Sequence, residues 1–479
     1  MTKRGVRVTI RFDVSDDQRT PFYLRLADAI ERAIIDGVLK PGDKLPAQRD
    51  IAFDLKVTVG TIGRAYQIAR ERGLTTGEVG RGTYVRKHEP ETAKSDGPAL
   101  LRNSTVDSIP GPESGDAKLD STSAPLVGQA DEIASVYAAV LRDSPAKALD
   151  YVRGVPESWV EAGAEWLATG GWRPVNENVV PTLGVNAAIQ GIIATATRPG
   201  DRIVFEDLSY AAVARAATMI GRAPLVVAMD EDGMLPEELE RCAARQHPRM
   251  IFLMPAVNNP TGRTMPLKRR EEIVSIARQY NLLIIEDNIY GKITDVDVPP
   301  IAALAPERTF FVSGLSKSVA AGLRVGWAAC PRGQAIRVTV AHNQLTGGRP
   351  YLNMEVAARL VLSGRAEAIR QAVMAEIAER SALFDRIFNV TTTGQAAAVP
   401  YRWVSLPAPW TSPAFQLAAR NHGIRIDGED EFQSVRGDRA HHCVRFGLSA
   451  VGERDILANA LEVLKGLIDS GSITYVSVA

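Results

Sequence analysis

Near the N-terminus, apolar residues recur at three- and four-residue spacing over three short stretches. Phe22, Leu26, Ala29, Ile30, Ala33 and Ile34 predict an amphipathic helix that Pro21 opens and Gly37 stops. Lys40-Pro41-Gly42-Asp43 reads as a turn. Ile51, Ala52 and Leu55 predict a second, shorter helix, followed by a break at Lys56-Val57. Thr58 is then the expected N-cap of a third helix, from about Val59 to Arg72, ended by Gly73. Ile62, Ala65, Tyr66 and Ala69 form its apolar face, and Gly60, Thr61 and Arg64 lie opposite. Leu74-Thr75-Thr76 and Gly82-Thr83-Tyr84-Val85 predict a small hairpin with Arg81 at its tip.

Three short helices and a hairpin predict a winged helix-turn-helix. The second helix of its pair enters a DNA major groove, where small residues at the N-terminus allow close approach. Arg64 is the candidate base or phosphate contact there, and Arg81 the candidate for a phosphate or the minor groove. A helix-rich protein–protein module has the same pattern and stands as the alternative.

The patterning lapses from His88 to about Ala117, where Pro, Gly, Ser, Asp and Glu dominate. Such a stretch reads as a tether. Beyond it, helical spacing returns at Asp131–Arg142 and Glu157–Thr169. Apolar runs at 202–206, 225–228, 250–254, 282–286, 309–312 and 325–330 then alternate with helical segments. That alternation predicts an open α/β sheet, whose ligands bind beyond the strand C-termini. The expected division is a DNA-binding head at 1–87, a linker at 88–117 and a body at 118–479. Within the body, a large lobe spans about 170–345, and a smaller α+β lobe is built from 118–169 and 346–479.

Composition narrows this little. Of 479 residues, 45% are hydrophobic and 23% charged, with zero formal net charge, so an ordinary globular class is expected. The three cysteines, Cys242, Cys330 and Cys443, follow no metal spacing and suit a reducing cytosol. No signal peptide is evident, and no run approaches the roughly 18 apolar residues of a membrane span. A cytoplasmic protein without metal or membrane partner is expected.

Candidate chemistry sits just past several strands. Gly184-Val185-Asn186 opens a helix, where free amides can hold a phosphate. Tyr210 follows the strand ending at Glu206 and can stack on a ring. Asn259 lies in Asn258-Asn259-Pro260-Thr261-Gly262, a turn after an apolar strand. Asp287 ends another apolar strand and needs a cationic partner, with Tyr290 close behind. Lys317 lies in Ser313-Gly314-Leu315-Ser316-Lys317, and Arg324 follows seven positions on. A lysine at the inner end of a strand is costly unless paired, neutralised or covalently used. The alternatives are a surface lysine in a serine-rich loop, a turn glycine and packing tyrosines.

Two resemblances sharpen the picture. Pro41-Gly42-Asp43-Lys44-Leu45-Pro46-Ala47-Gln48-Arg49-Asp50-Ile51-Ala52, Val57-Thr58, Arg64-Ala65-Tyr66 and Gly80-Arg81-Gly82-Thr83-Tyr84-Val85 resemble a GntR-type DNA-binding head. It departs in carrying Ala47 where such heads often have a capping Ser, and Val59 where they have Arg. By this resemblance Arg49, Thr58, Gly60, Thr61, Arg64 and Arg81 contact double-stranded operator DNA. The body is similar to the fold-type-I pyridoxal-phosphate enzymes of the aspartate aminotransferase family.

That second resemblance implies pyridoxal 5'-phosphate as cofactor, linked as an internal aldimine to Lys317. Asp287 pairs with the ring nitrogen, Asn259 and Tyr290 with the phenolate oxygen, and Tyr210 stacks on the ring. Gly184, Val185, Asn186, Ser316 and Arg324 take the phosphate. Tyr151 reaches the phosphate of a neighbouring subunit, implying a homodimer. Arg445, in Val444-Arg445-Phe446-Gly447-Leu448-Ser449, matches the arginine that grips a substrate carboxylate. Three places before the lysine, Gly314 replaces the usual Ser or Thr.

Head and body together resemble the MocR regulators along the whole chain. They imply a bacterial transcription regulator that senses an amino acid or amine by aldimine exchange. An active aminotransferase with an accessory head is the alternative, and a sensor of the cofactor alone is a third reading.

Overall fold

The computed structural model describes residues 22–35, 38–40, 42–55, 57–71, 74–78, 82–85, 117–294, 297–390, 399–435 and 440–470. Arg81 and nearly all of the expected linker lie outside them. The chain divides into two compact units, Met1–Asn103 and Ser104–Ala479.

The first unit holds α1 (Phe22–Ile35), α2 (Gln48–Asp54) and α3 (Val59–Glu71), then the antiparallel pair β1 (Thr75–Glu78) and β2 (Gly82–Val85). The periodic apolar positions do meet: Leu26, Ile30, Ile51, Ile62, Ala65, Tyr66 and Val85 form one core. The Tyr66 hydroxyl donates to the Pro46 carbonyl at 2.8 Å, tying α3 to the chain that enters α2. Thr58 caps α3 as expected, its hydroxyl accepting from the Thr61 N–H at 3.2 Å. Ala47 offers α2 no such bond. This is a winged helix-turn-helix.

In the second unit, β3 (Ala117–Leu119) is followed by β4 (Val179–Thr182), β5 (Arg202–Glu206) and β6 (Ala223–Val227). The short ribbon β7 (Met229–Asp230) and β8 (Gly233–Met234) comes next. Then come β9 (Met250–Leu253), β10 (Leu283–Asp287), β11 (Thr309–Gly314) and β12 (Gly326–Ala329), and finally β13 (Tyr401–Ser405), β14 (Ile424–Gly428) and β15 (Cys443–Gly447). Seven strands form the central sheet, in the order β4-β12-β11-β10-β9-β5-β6. Only β12 runs against the others. Helices cover both faces, so β4, β9 and β11 are buried at every position, which explains their unbroken apolar runs.

Helices Gln129–Asp143, Glu157–Leu167 and Tyr351–Leu362 pack into the core of this sheet. The sequence had placed them in the smaller lobe. A second sheet, β13-β15-β14-β3, has its own core with Phe415, Leu457, Leu461 and Leu464 of two covering helices. Because β4, β5, β9, β10 and β11 are parallel, their C-terminal ends lie along one edge of the sheet.

Candidate functional site

At that edge a cavity of about 240 Å³ opens, lined by residues that leave different strands. Val185 and Asn186 follow β4, Tyr210 follows β5, and Asn259 follows β9. Asp287 and Tyr290 come from the end of β10, and Ser316, Lys317 and Arg324 from the β11–β12 connection. Arg445 of β15 completes the wall from the second sheet. The sequence-predicted body residues thus converge, except for Gly184, which stands behind the lining residue Val185, and Tyr151, which is 87% exposed and lines no part of this cavity.

Each side chain is fixed by an identifiable neighbour. Gly184 begins the helix Gly184–Ala196 at φ +77°, a left-handed conformation that glycine adopts without strain. Arg324 is itself left-handed at φ 52°, uncommon for a residue with a side chain. A Cβ on Gly184 would lie 3.9 Å from its guanidinium, so Arg324 sits at the open end of that helix. A dipole, free amides and a guanidinium together make an anion site. The helix entrance is braced by His342, whose Nε2 accepts the Leu183 N–H at 3.0 Å. Burial, with the charge of Arg349, lowers the His342 pKa to about 4 and keeps it a neutral acceptor.

Asp287 is buried, and its carboxylate accepts the Ile289 N–H at 2.9 Å. Burial pushes its pKa up to about 7, against the opposing pull of that hydrogen bond and of Lys317. Such a group calls for a cation, and a protonated ring nitrogen is one. The Lys317 Nζ donates to the Thr122 hydroxyl at 2.9 Å, and that hydroxyl lies 2.7 Å from the Tyr290 hydroxyl. Asn186 donates to the Tyr210 hydroxyl at 3.2 Å. Asn259 accepts from Arg445 at 2.8 Å. Behind it, Asn258 donates to the buried carboxylate of Glu206 at 3.0 Å and orders the turn. An aldehyde-bearing, phosphorylated pyridine fits this donor set: a lysine, a buried acid and an anion site on three sides of one cavity.

Gly314 has a steric reason. A Cβ there would lie 2.7 Å from the Val325 carbonyl oxygen and 3.1 Å from the Gly326 Cα. The β11–β12 pairing leaves no room for the usual hydroxyl residue. Sequence reasoning missed Thr122, His342 and Asp427. Asp427 faces Arg445 across β14 and β15 and accepts a hydrogen bond from it. The alternation Ile424-Arg425-Ile426-Asp427 carries a signal for a half-buried strand, but not that its polar side faces a cavity.

In the head, Arg49, Thr58, Gly60 and Arg64 are exposed and Thr61 is half-buried. The Arg64 guanidinium lies 4.3 Å from the Tyr23 ring centroid, which steadies it at the surface.

Comparisons with known proteins bear on the fold of both units. Residues 151–401 match the family described as aminotransferase class I and II. The chain belongs to that family. Residues 22–85 match the bacterial regulatory proteins of the gntR family, and the two matches together are consistent with a MocR-type regulator. One relative is the uncharacterized HTH-type transcriptional regulator YdeF of Bacillus subtilis, 27% identical over 95% of this chain and 96% of its own. Another is the HTH-type pyridoxine biosynthesis transcriptional regulator PdxR of Corynebacterium glutamicum, 26% identical over 66% of this chain and 67% of its own. Among solved structures, LysN, the α-aminoadipate aminotransferase of Thermus thermophilus, superposes with a TM-score of 0.68. It is 20% identical and covers 78% of this chain and 97% of its own, a likeness of fold.

Proposed function

We propose that the head binds double-stranded operator DNA while the body holds pyridoxal 5'-phosphate and uses it to sense an amino acid or amine. The observation that carries this is the convergence of Lys317, Asp287 and Arg324 on one cavity, in a chain that also has a gntR-type head. The name of the relative PdxR, a pyridoxine biosynthesis regulator, supports a link to this cofactor. When bound, the cofactor supplies an aldehyde reactive toward primary amines and a ring that takes up electron density.

The residues divide the work of holding it. Lys317 is the covalent attachment point. Asp287 takes the ring nitrogen, Asn259 and Tyr290 the phenolate oxygen, and Tyr210 a ring face. Gly184, Val185, Asn186, Ser316 and Arg324 hold the phosphate. Thr122 holds the Lys317 amine and the Tyr290 hydroxyl in one hydrogen-bonded line. The working unit is a cytoplasmic homodimer, in which the exposed Tyr151 serves the partner's phosphate. Arg49, Thr58, Gly60, Thr61, Arg64 and Arg81 form the DNA-contacting set.

A paired measurement tests this on the full chain. Operator affinity and cofactor absorbance are followed while amino acids and amines are added. A responsive regulator shows an affinity change of roughly 5- to 150-fold on ligand binding. Lys317→Ala keeps DNA binding and loses the response. A second reading, a working aminotransferase with an accessory head, is favoured by the placement of Lys317 beside Asp287 and Tyr290. Rapid turnover of amino acids with unchanged operator affinity establishes that reading and defeats the first.

A further inference from the structure

The surroundings of Arg445 narrow the class of ligand. A carboxylate is gripped by two parallel N–H groups on one edge of a guanidinium. Here Nη1 donates to the Asn259 Oδ1 at 2.8 Å, and Nη2 donates to the Asp427 Oδ2. The remaining Nε is buried without a hydrogen-bond partner among the described residues. Tyr401 and Phe432 rings pack against the guanidinium, with centroids 5.4 Å and 4.8 Å away. Each terminal nitrogen therefore already spends one of its two N–H groups inside the protein, and the charge of Arg445 is already matched by that of Asp427.

Asp427 is built into this arrangement. It stands directly opposite Arg445 in the β14–β15 register, and its side chain is largely buried. Arg425, two residues along the same strand, is engaged by Asp120 at 3.3 Å and gives Asp427 no alternative cation. Glu431 is likewise taken by Arg215 at 3.3 Å. A carboxylate entering beside Arg445 meets a charge already neutralised and a second carboxylate that repels it. A ligand without a carboxylate meets neither obstacle.

We propose that Asp427 holds Arg445 in an internal ion pair, and that the body thereby selects a primary amine lacking an α-carboxylate over an α-amino acid. The inference rests on the amine-sensing reading above and narrows its ligand to one class. Asp427 acts as a specificity-determining residue, through the arginine it occupies.

Three probes differ only at the position of the carboxylate: isopropylamine, L-alaninamide and L-alanine. Each is titrated into the cofactor-loaded full chain, with cofactor absorbance and operator affinity as readouts and concentration expressed as unprotonated amine. Isopropylamine and L-alaninamide should half-saturate at concentrations roughly tenfold or more below L-alanine, the scale of a like-charge juxtaposition. Asp427→Ala should bring L-alanine down by a similar factor and leave isopropylamine little changed. Asp427→Asn, which keeps a hydrogen-bond acceptor for Arg445, guards against loss of folding and should move L-alanine in the same direction. The inference is overturned if L-alanine binds the unaltered protein as tightly as isopropylamine, or if folded Asp427 variants leave the ratio unchanged. If none of the three probes perturbs the cofactor band, the amine-sensing reading falls with it. If L-alanine alone wins, only the choice of class falls.

Discussion

Asp287 shows how one residue links burial to measurable behaviour. Its pKa is raised to about 7 by burial, from an ordinary value of 3.8. Between those values the folded protein retains a proton that the unfolded chain has released. Stability of the cofactor-free protein therefore falls as pH rises through about 4 to 7. Glu206 and Glu286, also raised to about 7 by burial, act with the same sign. Asp287→Asn should make the decline shallower without abolishing it, as read from thermal denaturation of the cofactor-free protein between pH 4 and 8. The same change should weaken cofactor binding by roughly 10- to 100-fold, the worth of one charged hydrogen bond, measured by equilibrium titration. Asp287, Asn259, Tyr290 and Lys317 were legible in the sequence because they lie at or just past apolar runs of strand length, and Arg324 because it follows Lys317 by seven positions. Thr122 was not. Its contacts with Tyr290 and Lys317 join positions 168 and 195 residues apart, and no periodicity encodes such a pairing.

At the scale of elements, spacing predicted which segments would be helix or strand, and close approach decided the details. Gly314 stands where the resembled family usually has Ser or Thr, and β11 and β12 touch there. Gly314→Ser should therefore destabilise the body by about 1–3 kcal/mol through overpacking, read from the denaturant midpoint. The opposite outcome is expected at α2. Ala47 has the extended backbone of an N-cap, φ −63° and ψ 140°, but no side chain able to accept a hydrogen bond. Ala47→Ser should stabilise this helix by roughly 0.5–1 kcal/mol, seen as slower hydrogen exchange at the first amides of α2 in the full chain. Both devices could be located in the sequence, but only backbone geometry gives each substitution its sign. The assignment of the early helices was less legible. Gln129–Asp143 and Glu157–Leu167 present ordinary amphipathic faces, and periodicity alone does not say which of two sheets such a face covers.

For the whole molecule, zero net charge conceals a division of labour. Residues 1–87 contain 17 lysines and arginines against 11 acidic residues, whereas the rest of the chain contains 39 against 45. A positive head on a negative remainder suits a protein whose DNA contacts are confined to one unit, since the remainder is repelled by the phosphate backbone. Operator binding should then weaken steeply with salt, with a slope set by the phosphates that the head neutralises. If Arg49 and Arg64 act as phosphate contacts, truncating either to Ala should reduce the slope of log affinity against log salt by about 1 and weaken all sequences alike. If Arg64 reads a base instead, Arg64→Ala should relax preference at one position, with a loss of about 1–3 kcal/mol on the preferred operator. Its placement over Tyr23 holds it at the surface in either case. Charge reversals on the body surface far from the head should leave the slope unchanged. A slope that responds to them as strongly as to Arg49 would mean that the body contacts DNA directly, and the two-unit division of labour would have to be abandoned.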